Sequence, residues 1–228
     1  MASPRISGQR EDLDGHRGNA RSPQQTIATV ENLPISIPSR DREIMQTATE
    51  PIESTERPMM RSLEADGPYS ELKDKLMLFG QFAGNWQYES QYFLRDGTTA
   101  RAKGEIHFGW ILGGTAIQDV MTGVVLDPQP GFPRTGFGTM VRFYDPNIDA
   151  WHCVWIAPLN RVVQTFTARR VGDEISLEGK NAQGFLERWI FSEITPNSFN
   201  WRAVESRDQG QTWHLDQRIW AVRISPEK

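Results

Sequence analysis

The chain has 228 residues and a formal net charge of −4. Its Lys and Arg residues form no basic stripe, which argues against a nucleic-acid partner. The single cysteine, Cys153, excludes an intramolecular disulfide framework and a cysteine-cluster metal site.

Aromatic residues are unevenly placed: none of the 8 Trp, 4 Tyr and 11 Phe precedes Tyr69. Residues 1–68 are rich in Ser, Thr, Gln, Arg, Glu and Pro, and cannot bury enough apolar surface to offset their ordering entropy. They are expected to form a disordered tail, with residues 69–228 as one domain of about 160 residues. The tail lacks the apolar centre of a secretory signal. Arg5, Arg10, Arg17 and Arg21 among serines hint at an organelle address, but Glu11, Asp12 and Asp14 oppose it, so a cytoplasmic protein is expected. Residues 40–47 read as a transient helix. No apolar run is long enough to span a bilayer as a helix.

Residues 69–82 predict one short helix, with Ser70 as N-cap, Leu72, Leu76 and Phe79 at helical spacing, and Gly80 near its end. The period then changes to two. Trp86, Tyr88, Ser90 and Tyr92 share one face of a strand, and Gln87, Glu89 and Gln91 the other. Asp96-Gly97 signals a hairpin into a strand over 99–111, with Ile106, Phe108 and Trp110 on its apolar face. Gly113-Gly114 turns the chain into a strand over 116–126. Residues 127–136 hold three prolines and two glycines and predict the longest loop, at the mouth of a barrel. Strands over 137–144 and 150–156, 161–170 and 174–179, 185–194 and 198–206, and finally 212–224 complete the pattern.

About ten short strands, with turns every 8 to 12 residues, predict an all-β domain. An antiparallel sheet of that size curls shut or splits into layers, because open edges invite association. The expected fold is a single antiparallel β-barrel of about ten strands with a short N-terminal plug helix.

Gly84-Asn85-Trp86 at the first strand, the helix before it and Arg223 late in the last strand together resemble the calycin superfamily of lipocalin-like and fatty-acid-binding-like barrels. Three further stretches resemble an uncharacterised family of short bacterial lipocalin-like proteins: Gly109-Trp110-Ile111-Leu112-Gly113-Gly114 with Gln118-Asp119-Val120, Arg142-Phe143-Tyr144-Asp145-Pro146 with Asp149-Ala150-Trp151, and Trp189 to Pro196. The likeness covers residues 70 to 225. It implies that Gly84, Trp86 and Arg223 close the barrel, with the guanidinium packed across the indole; Arg218 is a second candidate partner. It also makes His214 the one position match for a haem ligand. Otherwise no cofactor is expected, and the histidines show no metal-ligand spacing.

The indole-rich composition predicts a pocket lined by Tyr88, Tyr92, Phe108, Trp110, Trp151, Trp155, Trp189 and Trp201, although bulky rings also fill barrel cores. Tyr88, Asp119, Arg142 and Glu187 are the candidate acid–base residues, because polar groups buried in a strand face acquire shifted pKa values. Gln164, Arg188, Arg202 and Glu205 also interrupt strand-like runs. Cys153 sits among tryptophans, where a thiol stays protonated.

Two function classes follow. The first is a carrier or sensor that binds a small apolar or aromatic molecule, acting as a monomer or homodimer. The second is a cofactor-independent cyclase, isomerase or lyase that folds a reactive substrate in the cavity. Deleting residues 1–66 is expected to leave the thermal unfolding midpoint nearly unchanged. A large drop would show that part of this segment belongs to the fold.

Overall fold

The computed structural model describes residues 57–127 and 135–225. The expected disordered tail up to residue 56, with its segment 40–47, and most of the proline-rich loop lie outside the described residues.

Ten strands follow one another as antiparallel neighbours. They are β2 (Gly84–Phe93), β3 (Thr99–Ile111), β4 (Ala116–Val125), β5 (Thr135–Asp145), β6 (Ala150–Ala157), β7 (Val162–Val171), β8 (Glu174–Lys180), β9 (Leu186–Ser192), β10 (Ser198–Ser206) and β11 (His214–Arg223). The last of these ten pairs with the first, from Arg223↔Trp86 to Gln217↔Tyr92, so the ten strands close into a barrel. The alternation read in the sequence is present: in β2, Trp86, Tyr88 and Ser90 are buried and Gln87 and Glu89 exposed. In the hairpin after β2, Asp96 Oδ1 accepts from the Thr98 N–H at 2.9 Å, and Gly97 takes a φ of 87° that disfavours a residue with a Cβ.

The expected helix over 69–82 is a 3₁₀ turn, Ser70–Leu72, followed by an α-helix, Lys73–Gly80. Ser70 does not cap it; neither start has a side-chain cap. Gly80 is not a left-handed terminator. It is small because a Cβ there would lie 2.4 Å from Trp110 Cζ2. The helix ends at Gly80 as expected, but the glycine serves packing against Trp110 and not a left-handed turn.

This helix plugs one end of the barrel with rings. Phe79 meets Trp151 edge-on at 4.9 Å between centroids; Phe82 lies 5.0 Å from both Phe191 and Phe199. Trp86 lies 4.8 Å from Phe199 and donates through Nε1 to Phe82 O at 2.7 Å. Arg223 Cζ stands 4.1 Å over the Trp86 ring, while its guanidinium donates to Pro196 O, Ala83 O and Gln81 O at 2.7, 2.6 and 2.9 Å. Gly84 has a φ of 122°, and a Cβ there would meet Arg223 Nη1 at 2.7 Å. The three closure residues read from the sequence therefore form one contact set, and Arg218 takes no part in it: it pairs with Gln91 and Arg202 further along β11.

Ordered structure begins ahead of Tyr69. A helix, Pro58–Leu63, leads into a two-residue strand, β1 (Glu64–Ala65), which pairs with Ile111 and Trp110 of β3. The reason is geometric. β3 outruns β2, whose pairing stops at Gly84↔Phe108, and β1 covers the overhang. The Tyr69 N–H then donates to Gly114 O at 3.0 Å. Low aromatic content hid this segment, because its role is carried by backbone rungs. Deletion through residue 66 removes β1, so a chain starting at Gly67 should melt below one starting at Arg57, by calorimetry. Trp86→Ala should cost about 3 to 5 kcal/mol of stability in denaturant titration, as for other large buried rings.

Candidate functional site

Above the aromatic plug the barrel interior holds an open-mouthed cavity of about 200 Å³. Its lower wall is Phe108, Asp119, Met140, Arg142, Phe191 and Phe199; its upper wall includes Tyr88, Tyr92, Trp155, Ala157, Trp189, Trp201 and Gln217. Six of the eight ring residues expected to form a pocket line it: Tyr88, Tyr92, Phe108, Trp155, Trp189 and Trp201. Trp110 and Trp151 do not. Trp110 packs on the helix at Gly80, and Trp151 against Phe79 and Tyr144, so both belong to the plug. Which indoles face the cavity and which face the helix depends on height along the barrel, and strand alternation carries no height.

The floor holds an ion pair. Asp119 on β4 and Arg142 on β5 are 4 % and 3 % exposed, with Arg142 Nη1 2.5 Å from Asp119 Oδ2. Burial pushes the Asp119 carboxyl above its usual range, against the opposing pull of the Arg142 charge and of the Met140 backbone N–H. The Arg142 guanidinium lies 5.0 Å from the Phe79 centroid and 5.5 Å from that of Phe108. Arg142 Nη1 makes its contact with Asp119, and among the described residues Nε has no hydrogen-bond acceptor. Cys153, the cross-strand partner of Arg142, is buried and its thiol is pushed up to about 12, so it is inert.

The opposite end is polar. Glu187 on β9 stands directly opposite Glu205 on β10. Glu187 accepts from Gln164 Nε2 on β7 and, at 2.5 Å, from Trp189 Nε1, which fixes that indole in the cavity wall. Between β7 and β9 the β8 partner of Glu187 is Gly179, where a Cβ would meet Phe166 Cδ1 at 2.8 Å. Burial raises the Glu187 pKa, against its two hydrogen bonds, and the Glu205 charge adds to the rise. Burial also acts to raise Glu205, but bonds from Arg207 and Arg95 outweigh it and hold its carboxyl below the usual range. Tyr88 and Tyr92 are both raised by burial, the latter opposed by Ser90 and Gln217.

Glu187 fixes the Trp189 indole but is not itself a lining residue, unlike Tyr88, Asp119 and Arg142. Arg188 and Arg202 point outward, to Glu178 and Glu174. His107 bonds Asn85, His152 bonds Asp145, and His214 Nε2 lies 3.1 Å from Phe93 O; none lines the cavity. Among the described residues no group of His, Cys, Asp and Glu is arranged to hold a metal ion, and no helix is long and apolar enough to cross a membrane.

A bulge in β11 was not foreseen. Ala203 pairs with Gln217 and Val204 with Leu215, which leaves Asp216 as the extra residue. The facing of residues ahead of the bulge is thereby inverted, bringing His214 opposite Glu205. Asp216 is raised from 3.8 to about 6, by burial first and by the Glu205 charge second.

A closed ten-stranded antiparallel barrel with an end helix fits a calycin-like architecture. No family model and no curated protein matches the chain. Among solved structures, it is similar to the S-type phycobiliprotein lyase CPES from Guillardia theta, at 11 % identity and a TM-score of 0.47, over 70 % of this chain and 100 % of that one. It is similar to Rv2717c from M. tuberculosis at 12 % identity and 0.45, over 66 % and 98 %. A redesigned β-barrel, mFAP0, bound to DFHBI, gives 13 % and 0.34, over 63 % and 99 %. The likeness is one of barrel architecture and carries no argument about what this chain binds.

A carboxyl whose folded pKa lies above its unfolded value favours folding most when protonated. The Asp216 contribution should therefore weaken as pH rises from about 4 to about 6. Asp216→Asn should flatten that part of the stability profile in thermal melts across this range.

Proposed function

We propose that the barrel binds a small apolar or aromatic molecule in its internal cavity, as a carrier or sensor. One observation carries this reading: the ring residues do not fill the barrel, but leave about 200 Å³ between an aromatic plug and a polar rim. An apolar cavity of roughly 150 Å³ already takes benzene, so the space suits one or two fused rings and is far too small for a porphyrin. Trp155, Trp189 and Trp201 present faces and edges to such a ligand, with Trp189 lying 5.7 and 5.2 Å from the other two. Tyr92 and Gln217 offer polar contacts at the rim.

A second reading, a cofactor-independent cyclase, isomerase or lyase, is favoured by one feature: a cavity carboxyl, Asp119, whose pKa burial has raised. It ranks below binding because that carboxyl is already engaged by Arg142 and by the Met140 backbone.

Native mass and absorbance spectra of the purified protein should reveal a co-purifying molecule of one- or two-ring size. Ala157→Phe, which places a ring into the cavity from β6, should abolish its retention while leaving the far-ultraviolet circular dichroism unchanged. Retention of the same molecule by this variant would place the ligand elsewhere.

A further inference from the structure

The cavity wall holds one polar group that the fold leaves open, and its use rests on the binding reading above. Tyr88 points inward from β2 and is 5 % exposed. Its hydroxyl reaches β4, where a Cβ on Gly123 would lie 2.2 Å from it, so only a glycine there leaves the phenol its place. Burial first, and the neighbouring Tyr92 second, hold its pKa above the usual range, with no hydrogen bond contributing. Tyr92 differs: Ser90 and Gln217 bond its hydroxyl. The Tyr88 hydroxyl therefore stays protonated, and its partner has to come from the contents of the cavity.

Strand register places the space for that partner. Tyr88 stands opposite Gly104, Gly104 opposite Gly123, and Gly123 opposite Gly136. Gly104 is forced, because a Cβ there would lie 1.9 Å from Thr122 O, and Gly123 makes room for the phenol. Gly136 has no such cause. Among the described residues nothing lies within 4 Å of where its Cβ would be, and its φ is not left-handed. A glycine inside a strand weakens it, and often marks a place that a ligand approaches closely. Gly136 shares the face of Gly138 and Met140, and a Cβ on Gly138 would lie 2.3 Å from Trp155 Cζ2. The open space thus has the Tyr88 hydroxyl on one side and the Trp155 indole on the other, and Tyr88, Gly136, Gly138 and Trp155 all line the cavity. The charged lining residues, Asp119 and Arg142, are paired with each other, so the wall calls for an uncharged occupant.

We propose that the Tyr88 hydroxyl and the open face of Gly136 form a subsite for a hydrogen-bond acceptor carried on an uncharged one- or two-ring aromatic ligand, such as a ring nitrogen.

Quinoline and naphthalene share one shape and differ by a ring nitrogen that accepts a hydrogen bond. Isothermal titration calorimetry of both, in their neutral forms, on the full chain and on its Tyr88→Phe variant isolates the hydroxyl. The preference for quinoline over naphthalene should fall roughly fivefold to tenfold in Tyr88→Phe, the value of one hydrogen bond. Tyr88→Phe should melt no lower than the parent, since the hydroxyl has no partner in the fold to lose. Gly136→Val fills the open space. It should weaken both compounds by roughly tenfold or more, while the melting temperature holds or rises, because a β-branched residue suits a strand. If the quinoline preference is unchanged in Tyr88→Phe, if that variant melts lower, or if Gly136→Val binds both compounds as the parent does, the subsite is overturned and the cavity reading stands. If neither compound binds the parent, the cavity reading itself fails, and the subsite with it.

Discussion

The barrel depends on one joint between its first and last strands. Arg223 lies over Trp86 and donates to three carbonyls on two other segments, the helix end and the turn before β10. A cation over a ring, together with three charge-assisted hydrogen bonds, fixes the strand that must find its partner across the whole chain. Two sequence features exist to let this happen. Gly84 clears the space for the guanidinium, and Phe82 supplies the carbonyl that accepts from Trp86 Nε1. The joint also sets where the cavity starts, because Trp86, Phe82 and Phe199 fill the space beneath it.

Above that plug the interior is layered by polarity. The floor is a neutral ion pair among rings. The middle is tryptophan. The upper end carries carboxylates whose partners are chosen by register: Glu187 faces Glu205 across a strand pair, and only Glu205 receives Arg95 and Arg207. Glu187 is left to two neutral donors, Gln164 and the Trp189 indole. A small residue at Gly179 and a bulge at Asp216 arrange this end, and both depend on what the neighbouring strand places opposite them.

Much of the fold was legible because its causes are local. Period-two alternation, Asp96-Gly97 and Gly113-Gly114 act over a few residues, and strands read at 99–111 and 198–206 have those same bounds in the structure. The site was legible in part. Tyr88 shares the face of Trp86 by parity, while Asp119 and Arg142 stood out as polar residues beside apolar neighbours in stretches that resemble lipocalin-like proteins. Met121, Ile219 and Gln217 line the cavity as well, and no single-strand signal separates them from other inward residues. Trp110 and Trp151 were misplaced because parity says inward and nothing more. β1 was missed because its contribution is made of main-chain bonds, which leave no mark on side-chain composition.

The sequence by itself determined about ten strands and most of their faces, which rest on local dihedral preference and on apolar periodicity that a chain carries wherever it goes. Its resemblance to lipocalin-like barrels implied the closure of first on last through Gly84, Trp86 and Arg223. Only the tertiary structure decided how high each inward side chain sits, and therefore which rings plug the barrel and which leave a space. It alone joined Asp119 to Arg142, because that outcome depends on what adjacent strands bring to the same level.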